Sequence, residues 1–186
     1  LLCSPHNPVG RVWHRDELEA ILEVCLEHNI VVFADEIHSD LVYAPNVHIP
    51  FASLNAKARD ITLTAIGVGK SFNMAGFAMS SVGVPNKELR ERFKKAYDRV
   101  HFAQGAVLSH VAFESAYLNG KEWIEDLKIH LYKNFLQLKE LCEEYSEFIS
   151  VTPIQGTYSA WLDCHKMNIK DKELREFFIK EAKLGL

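Results

Sequence analysis

The sequence predicts an α/β fold: a mostly parallel sheet with flanking helices, followed by the start of a smaller α+β part. Three observations carry that reading. Residues 30–34 (IVVFA) form an apolar run without polar alternation, as expected of a strand buried on both faces of a parallel sheet. Strand-like and helix-like stretches alternate over the first 85 residues, which implies βαβ units. Beyond residue 120 the order changes to helix, strand, strand, helix.

A first strand ends near Cys3, and Pro5, Pro8 and Gly10 mark the loop after it. A helix is expected over 15–28, where Leu18, Ile21, Leu22 and Cys25 repeat at i, i+3, i+4, i+7. Asp16, Glu17 and Glu19 suit its positive N-terminal end, and Asn29 suits its stop. Residues 61–66, rich in β-branched side chains, predict a third strand, and 80–84 a fourth that stops at Pro85. Asn86 is a good N-cap for a helix carrying Leu89, Phe93 and Tyr97. Further helices are expected over 105–118, ended by Asn119-Gly120, and over 121–145. FISVT and TYSAWLD read as two strands, and 172–183 as a last helix. Trp123, Phe135, Leu138, Leu141 and Trp161 are expected in the core, and the charged tracts LRERFKK and LKELCEE on solvated faces.

Composition narrows the function classes. Hydrophobic residues make up 48% and charged residues 25%, with a net charge of −4. That is ordinary for a globular chain and gives no electrostatic case for nucleic acid. No apolar run approaches the ~20 residues that a membrane-spanning helix needs. Four scattered cysteines without metal-type spacing suggest reduced thiols in a cytoplasmic protein, with no metal site. The chain begins at Leu1 rather than Met, and both ends fall inside what read as elements, so a piece of a longer polypeptide is expected.

Chemistry-bearing residues recur at one kind of place. His6-Asn7 follows the first strand, Asp35 to His38 the second, and Lys70 to Asn73 the third. Ligands of open parallel sheets bind at the carboxyl ends of the strands, so these clusters share one site if the strands are neighbours. Taken singly, Asp35 reads as a turn residue, His38 as a satisfied polar side chain and Asn7 as a turn residue before Pro8. Lys70 is either a loop residue or an amine whose pKa partial burial lowers, which makes it a better nucleophile toward a carbonyl. The glycines before it do not have P-loop spacing.

Four segments, SPHNPVGRVW (4–13), ADEIHSDLVY (34–43), GKSFNMAG (69–76) and GTYSAWLDC (156–164), resemble the pyridoxal-phosphate enzymes of aspartate-aminotransferase fold. More narrowly they are similar to the MalY/PatB-like cystathionine β-lyase branch. The resemblance implies a large cofactor-binding domain over 1–120, and a linking helix with part of a small domain over 121–186. It implies pyridoxal 5'-phosphate as cofactor, an amino-acid substrate and a homodimer. Lys70 would carry the cofactor covalently and act as general base, and Asp35 would pair with the ring nitrogen. Asn7 and His38 would lie near the ring's phenolic oxygen, and Ser71 or the adjacent loop near the phosphate. Gly69 stands where the family generally has serine. The family's glycine-rich phosphate loop, stacking aromatic residue and carboxylate-binding arginine would lie outside these residues. The implied function is a C–S β-lyase. An aminotransferase of the same fold, or a non-catalytic binding or regulatory protein on that scaffold, are the alternatives.

Overall fold

The computed structural model describes residues 1–100 and 105–185. A four-stranded sheet runs in the order β1 (Leu2–Cys3), β2 (Val32–Asp35), β3 (Thr62–Gly67) and β4 (Ser80–Gly83). β1, β2 and β3 are mutually parallel, with Cys3 opposite Asp35 and Asp35 opposite Ala65. β4 returns antiparallel against β3, with Ile66 opposite Ser81. The sheet is mixed and mostly parallel, as the sequence predicts.

Helix α1 (Arg15–Glu27) follows β1. Its start is held by Glu17, which accepts from the His14 N–H at 2.9 Å and pairs with Arg11 at 2.7 Å. Leu18, Leu22 and Cys25 of its apolar stripe pack with Leu2, Val32, Ala34, Phe51 and Ala58 in the main core. Asn29 lies in the left-handed region after the helix, which its short polar side chain tolerates. Residues 30 and 31 are half-exposed and precede β2, so the buried run is shorter than the sequence suggests.

Two short helices were not anticipated. α2 (Ala56–Ile61) starts at Asn55, whose side chain accepts from the Ala58 N–H, and it runs directly into β3. α3 (Val68–Ser71) leaves β3 with no intervening loop and contains Lys70.

The remaining helices are α4 (Lys87–Arg99), capped by Asn86 as expected, α5 (Val107–Asn119), α6 (Lys121–Glu144) and α7 (Asp171–Glu176). Only Gly120 separates α5 from α6, and its φ of −89° is not left-handed. The glycine answers crowding instead: a Cβ there would collide with the Phe72 ring and the Ala116 carbonyl. FISVT and TYSAWLD supply only two-residue strands, β5 (Ser150–Val151) and β6 (Leu162–Asp163), paired antiparallel. After α7 the last predicted helix continues as a π-helical stretch over Phe177–Glu181.

Phe135 is buried as expected and Leu138 is half-buried. Trp123, Leu141 and Trp161 are about half-exposed, against expectation. Every residue of α4 has some exposure, consistent with a solvated LRERFKK face. No helix is long and apolar enough to cross a membrane among the described residues.

Candidate active site

The condition set by the sequence is met: β1, β2 and β3 are adjacent and parallel, so the segments after them emerge side by side. The first is the 4–12 loop, with cis bonds at Ser4–Pro5 and Asn7–Pro8. Its end is pinned where the Trp13 indole N–H donates to the Cys3 carbonyl at 3.0 Å. Asn7 is exposed on this loop. Asp35 closes β2 half-buried, its carboxylate accepting a long bond of 3.4 Å from the Ile37 N–H. Lys70, also half-buried, projects from α3.

His38 is 3% exposed, and its Nε2 has no hydrogen-bond partner among the described residues. A buried polar atom of this kind costs free energy unless something meets it. Burial depresses the imidazole pKa below its usual 6.5, and the nearby Lys70 ammonium adds to this, against the opposing Asp35 carboxylate. His38 is therefore neutral at pH 7, and Lys70 and Asp35 are both within electrostatic reach of its ring. Cys3, opposite Asp35 on the neighbouring strand, has a raised pKa from burial, with an opposing hydrogen bond from the Asn7 backbone and a further rise from Asp35. Asp35, His38 and Lys70 thus share one electrostatic neighbourhood, and Asn7 borders it through its backbone bond to Cys3.

Ser71 is fully buried, and its hydroxyl donates to Asp40 Oδ2 at 2.7 Å. Gly69 lies under the following loop: a Cβ there would stand 3.3 Å from the Ala75 Cα. A serine side chain at position 69 would press on that backbone.

Three features escaped the sequence reading. The Glu36 carboxylate, buried between Asp35 and His38, accepts from the Phe51 N–H at 2.9 Å and lies 3.1 Å from His48 Nε2. A buried carboxylate needs such partners, and they come from residues whose spacing gives no local signal. The bond from Ser71 to Asp40 is the second. The third is the 153–159 loop, which crosses onto the site. The Gln155 N–H donates to the Gly10 carbonyl at 2.7 Å, the Thr157 N–H to Leu41 at 2.8 Å, and the Tyr43 hydroxyl to Thr157 at 2.7 Å. Gly156 permits this approach, because a Cβ would stand 3.0 Å from both the Leu41 carbonyl and Pro5. The loop sets the Tyr158 ring 5.6 Å from the His38 ring. GTYSAWLDC was the only hint of it.

Fold and site together define a polypeptide of the open α/β class with an amine, a carboxylate and a buried imidazole at its strand ends. Residues 1–184 match the aminotransferase class I and II family, and the chain belongs to it. It is 33% identical to cystathionine β-lyase PatB of Bacillus subtilis over the whole of this chain and 48% of that protein. It is 30% identical to Probable kynurenine–oxoglutarate transaminase BNA3 of Saccharomyces cerevisiae, over 92% of this chain and 38% of that protein. Among solved structures, cystalysin from Treponema denticola, which contains a pyridoxal 5'-phosphate cofactor, superposes with a TM-score of 0.95. That pair is 34% identical over 98% of this chain and 46% of the other. The chain spans about half the length of the curated relatives it matches.

Proposed function

We propose that this chain contributes the cofactor-holding half of a pyridoxal-phosphate-dependent C–S β-lyase. The enzyme cleaves cystathionine or cysteine S-conjugates to a thiol, pyruvate and ammonia. One observation carries the reading: Lys70, Asp35 and His38 lie within electrostatic reach at the ends of adjacent strands, and the buried His38 Nε2 has no partner among the described residues. The donor set fits the cofactor, with a primary amine for its aldehyde, a carboxylate for its ring nitrogen and an imidazole for a ring oxygen.

Pyridoxal phosphate, when bound, supplies an electron sink for charge developing at the substrate Cα. In this reading Lys70 holds the cofactor and, once released by the substrate amine, takes the α-proton on Nζ as general base. Asp35 keeps the ring nitrogen protonated by placing a negative charge beside it. Asn7 and neutral His38 orient the ring through its phenolic oxygen. The Ser71 hydroxyl donates its hydrogen bond to Asp40, which in this reading favours the adjoining loop over Ser71 for phosphate contact. The Cβ–S bond breaks with its electron pair leaving on sulfur as thiolate. The released 2-aminoacrylate takes up one water and yields pyruvate and ammonia.

A transaminase is the second reading, favoured by the similarity to BNA3. It uses the same residues up to removal of the α-proton and expels no β-substituent. Residues 1–120 then belong to the large domain, and 121–186 to the linking helix and part of the small one. A homodimer and a cytoplasmic location complete the proposal. Apolar residues exposed on α5 support the first, and four free cysteines the second.

The test uses the full-length protein. Pyruvate release from cystathionine without an added keto acid is expected, with borohydride trapping the cofactor on Lys70. Lys70→Ala should lower pyruvate formation at least about a thousandfold with the fold intact by circular dichroism. Amino transfer that requires a keto acid, with no pyruvate released, selects the transaminase. Neither activity and no trapping would leave a non-catalytic scaffold.

A further inference from the structure

We propose that Asp40 is a positioning residue for Lys70, acting through the buried hydroxyl of Ser71. The proposal rests on the lyase reading above. α3 has only four residues, too few to hold a helical turn unaided. Its geometry is set by what it touches.

Val68 is buried without exposure, and Phe72, which caps the helix, packs edge-on against Tyr117. The Trp123 indole N–H reaches the Ser71 carbonyl at 3.3 Å. These contacts fix where α3 lies, but they come from the helical side of the molecule. Among the described residues, only the Asp40 carboxylate hydrogen-bonds Ser71, the residue next to Lys70, back to the segment that carries Asp35 and His38. At 2.7 Å the contact has the length of a charge-assisted O–H···O⁻ bond. Among the described residues Asp40 has no lysine, arginine or histidine within ion-pair distance, so the Ser71 hydroxyl is its strong partner. The carboxylate also faces the Tyr117 phenol: burial, with the Asp40 charge adding to it, raises that pKa to about 12.

Asp35 and Asp40 thus sit at the two ends of one short segment. The first offers a carboxylate to the site, and the second holds α3. The bond fixes the spacing between the Asp35 carboxylate and the Lys70 amine across two neighbouring strands. A base displaced by about 1 Å can lose up to about a hundredfold in rate, so this spacing matters to proton transfer.

The experiment compares Asp40→Ala, Asp40→Asn, Ser71→Ala and the Asp40→Ala/Ser71→Ala double variant of the full-length, cofactor-loaded protein. Asp40→Ala and Ser71→Ala should each lower kcat for pyruvate release about ten- to a hundredfold with KM unchanged. The double variant should be no slower than either single one, because both remove the same bond. Asp40→Asn keeps an acceptor for the hydroxyl and should recover to within about threefold. A readout besides activity is the visible band of the cofactor joined to Lys70, with the rate at which borohydride labels that lysine. Both should change in the Ala variants and return in Asp40→Asn.

Losses that multiply in the double variant, or a band and labelling rate indifferent to both Ala substitutions, overturn the proposal. If Asp40→Ala does not fold, Ser71→Ala decides alone, and unchanged kcat, band and labelling in that variant overturn it. An unmodified protein whose Lys70 is never labelled refutes the lyase reading itself, and this proposal with it. That result differs visibly from a labelled Lys70 that ignores Asp40.

Discussion

Helices α1 and α5 have the same length of 13 residues, yet they bury different things. α1 buries Leu18, Leu22 and Cys25, one stripe turned to the sheet. α5 buries only Ser109 and Ala116 and leaves Val107, Leu108 and Leu118 more than 70% exposed. The difference is one of pattern and of charge, since α1 carries six charged residues and α5 one. In α1 apolar and charged residues segregate to opposite faces, so one partner surface suffices. In VLSHVAFESAYLN apolar residues surround the helix and Glu114 is its one charged residue, and the described residues supply a partner on only one side. The candidate site lies with the first kind of packing, where strand ends are held by a closed core.

The sharpest break of this contrast is at Glu36, which anchors the closed region beside the site. Glu36→Ala leaves the Phe51 N–H and His48 without their buried acceptor and should cost about 3 kcal/mol. Chemical denaturation checks this, and a cost below about 1 kcal/mol would mean water replaces the carboxylate.

A smaller effect belongs to His38. Its folded pKa is depressed, so below about pH 6.5 the unfolded chain binds a proton that the folded chain resists. Stability should therefore rise with pH up to about 6.5 and then level off, as far as this group is concerned. Denaturation midpoints between pH 5 and 8 should show a shallower slope in His38→Gln than in the unmodified chain. An unchanged slope would place the titration elsewhere.

The smallest effect is expected on α5. In a single copy of this 186-residue chain Leu108→Ser should change stability by no more than about 0.5 kcal/mol, because none of the described residues covers that side chain. A loss above about 1 kcal/mol in the same denaturation assay would show that the face is covered in solution and would erase the contrast with α1.

Much of the sheet region was legible because its signals are local. The stripe in α1, the β-branched run of β3 and the Asn86 cap each lie within a few residues. The helical region was harder to read: Trp123 and Leu141 look like core by residue type alone, but they emerge half-exposed. α3 is shorter than any window in which periodicity can be detected.

The site divides in the same way. Asn7, Asp35, His38 and Lys70 were visible as polar residues following strands, and their family resemblance named a chemistry for them. By itself the sequence determined the strands, the main helices and the candidate groups, since short-range periodicity and residue chemistry are written in neighbouring positions. Only the tertiary structure decided that β1, β2 and β3 are adjacent, which sets Asp35, His38 and Lys70 within electrostatic reach of one another. It alone paired Ser71 with Asp40 across 31 positions and Val12 with Gln155 across 143. A hydrogen bond between distant residues leaves no periodic trace, because its partners are chosen by how the chain packs and not by what stands beside them.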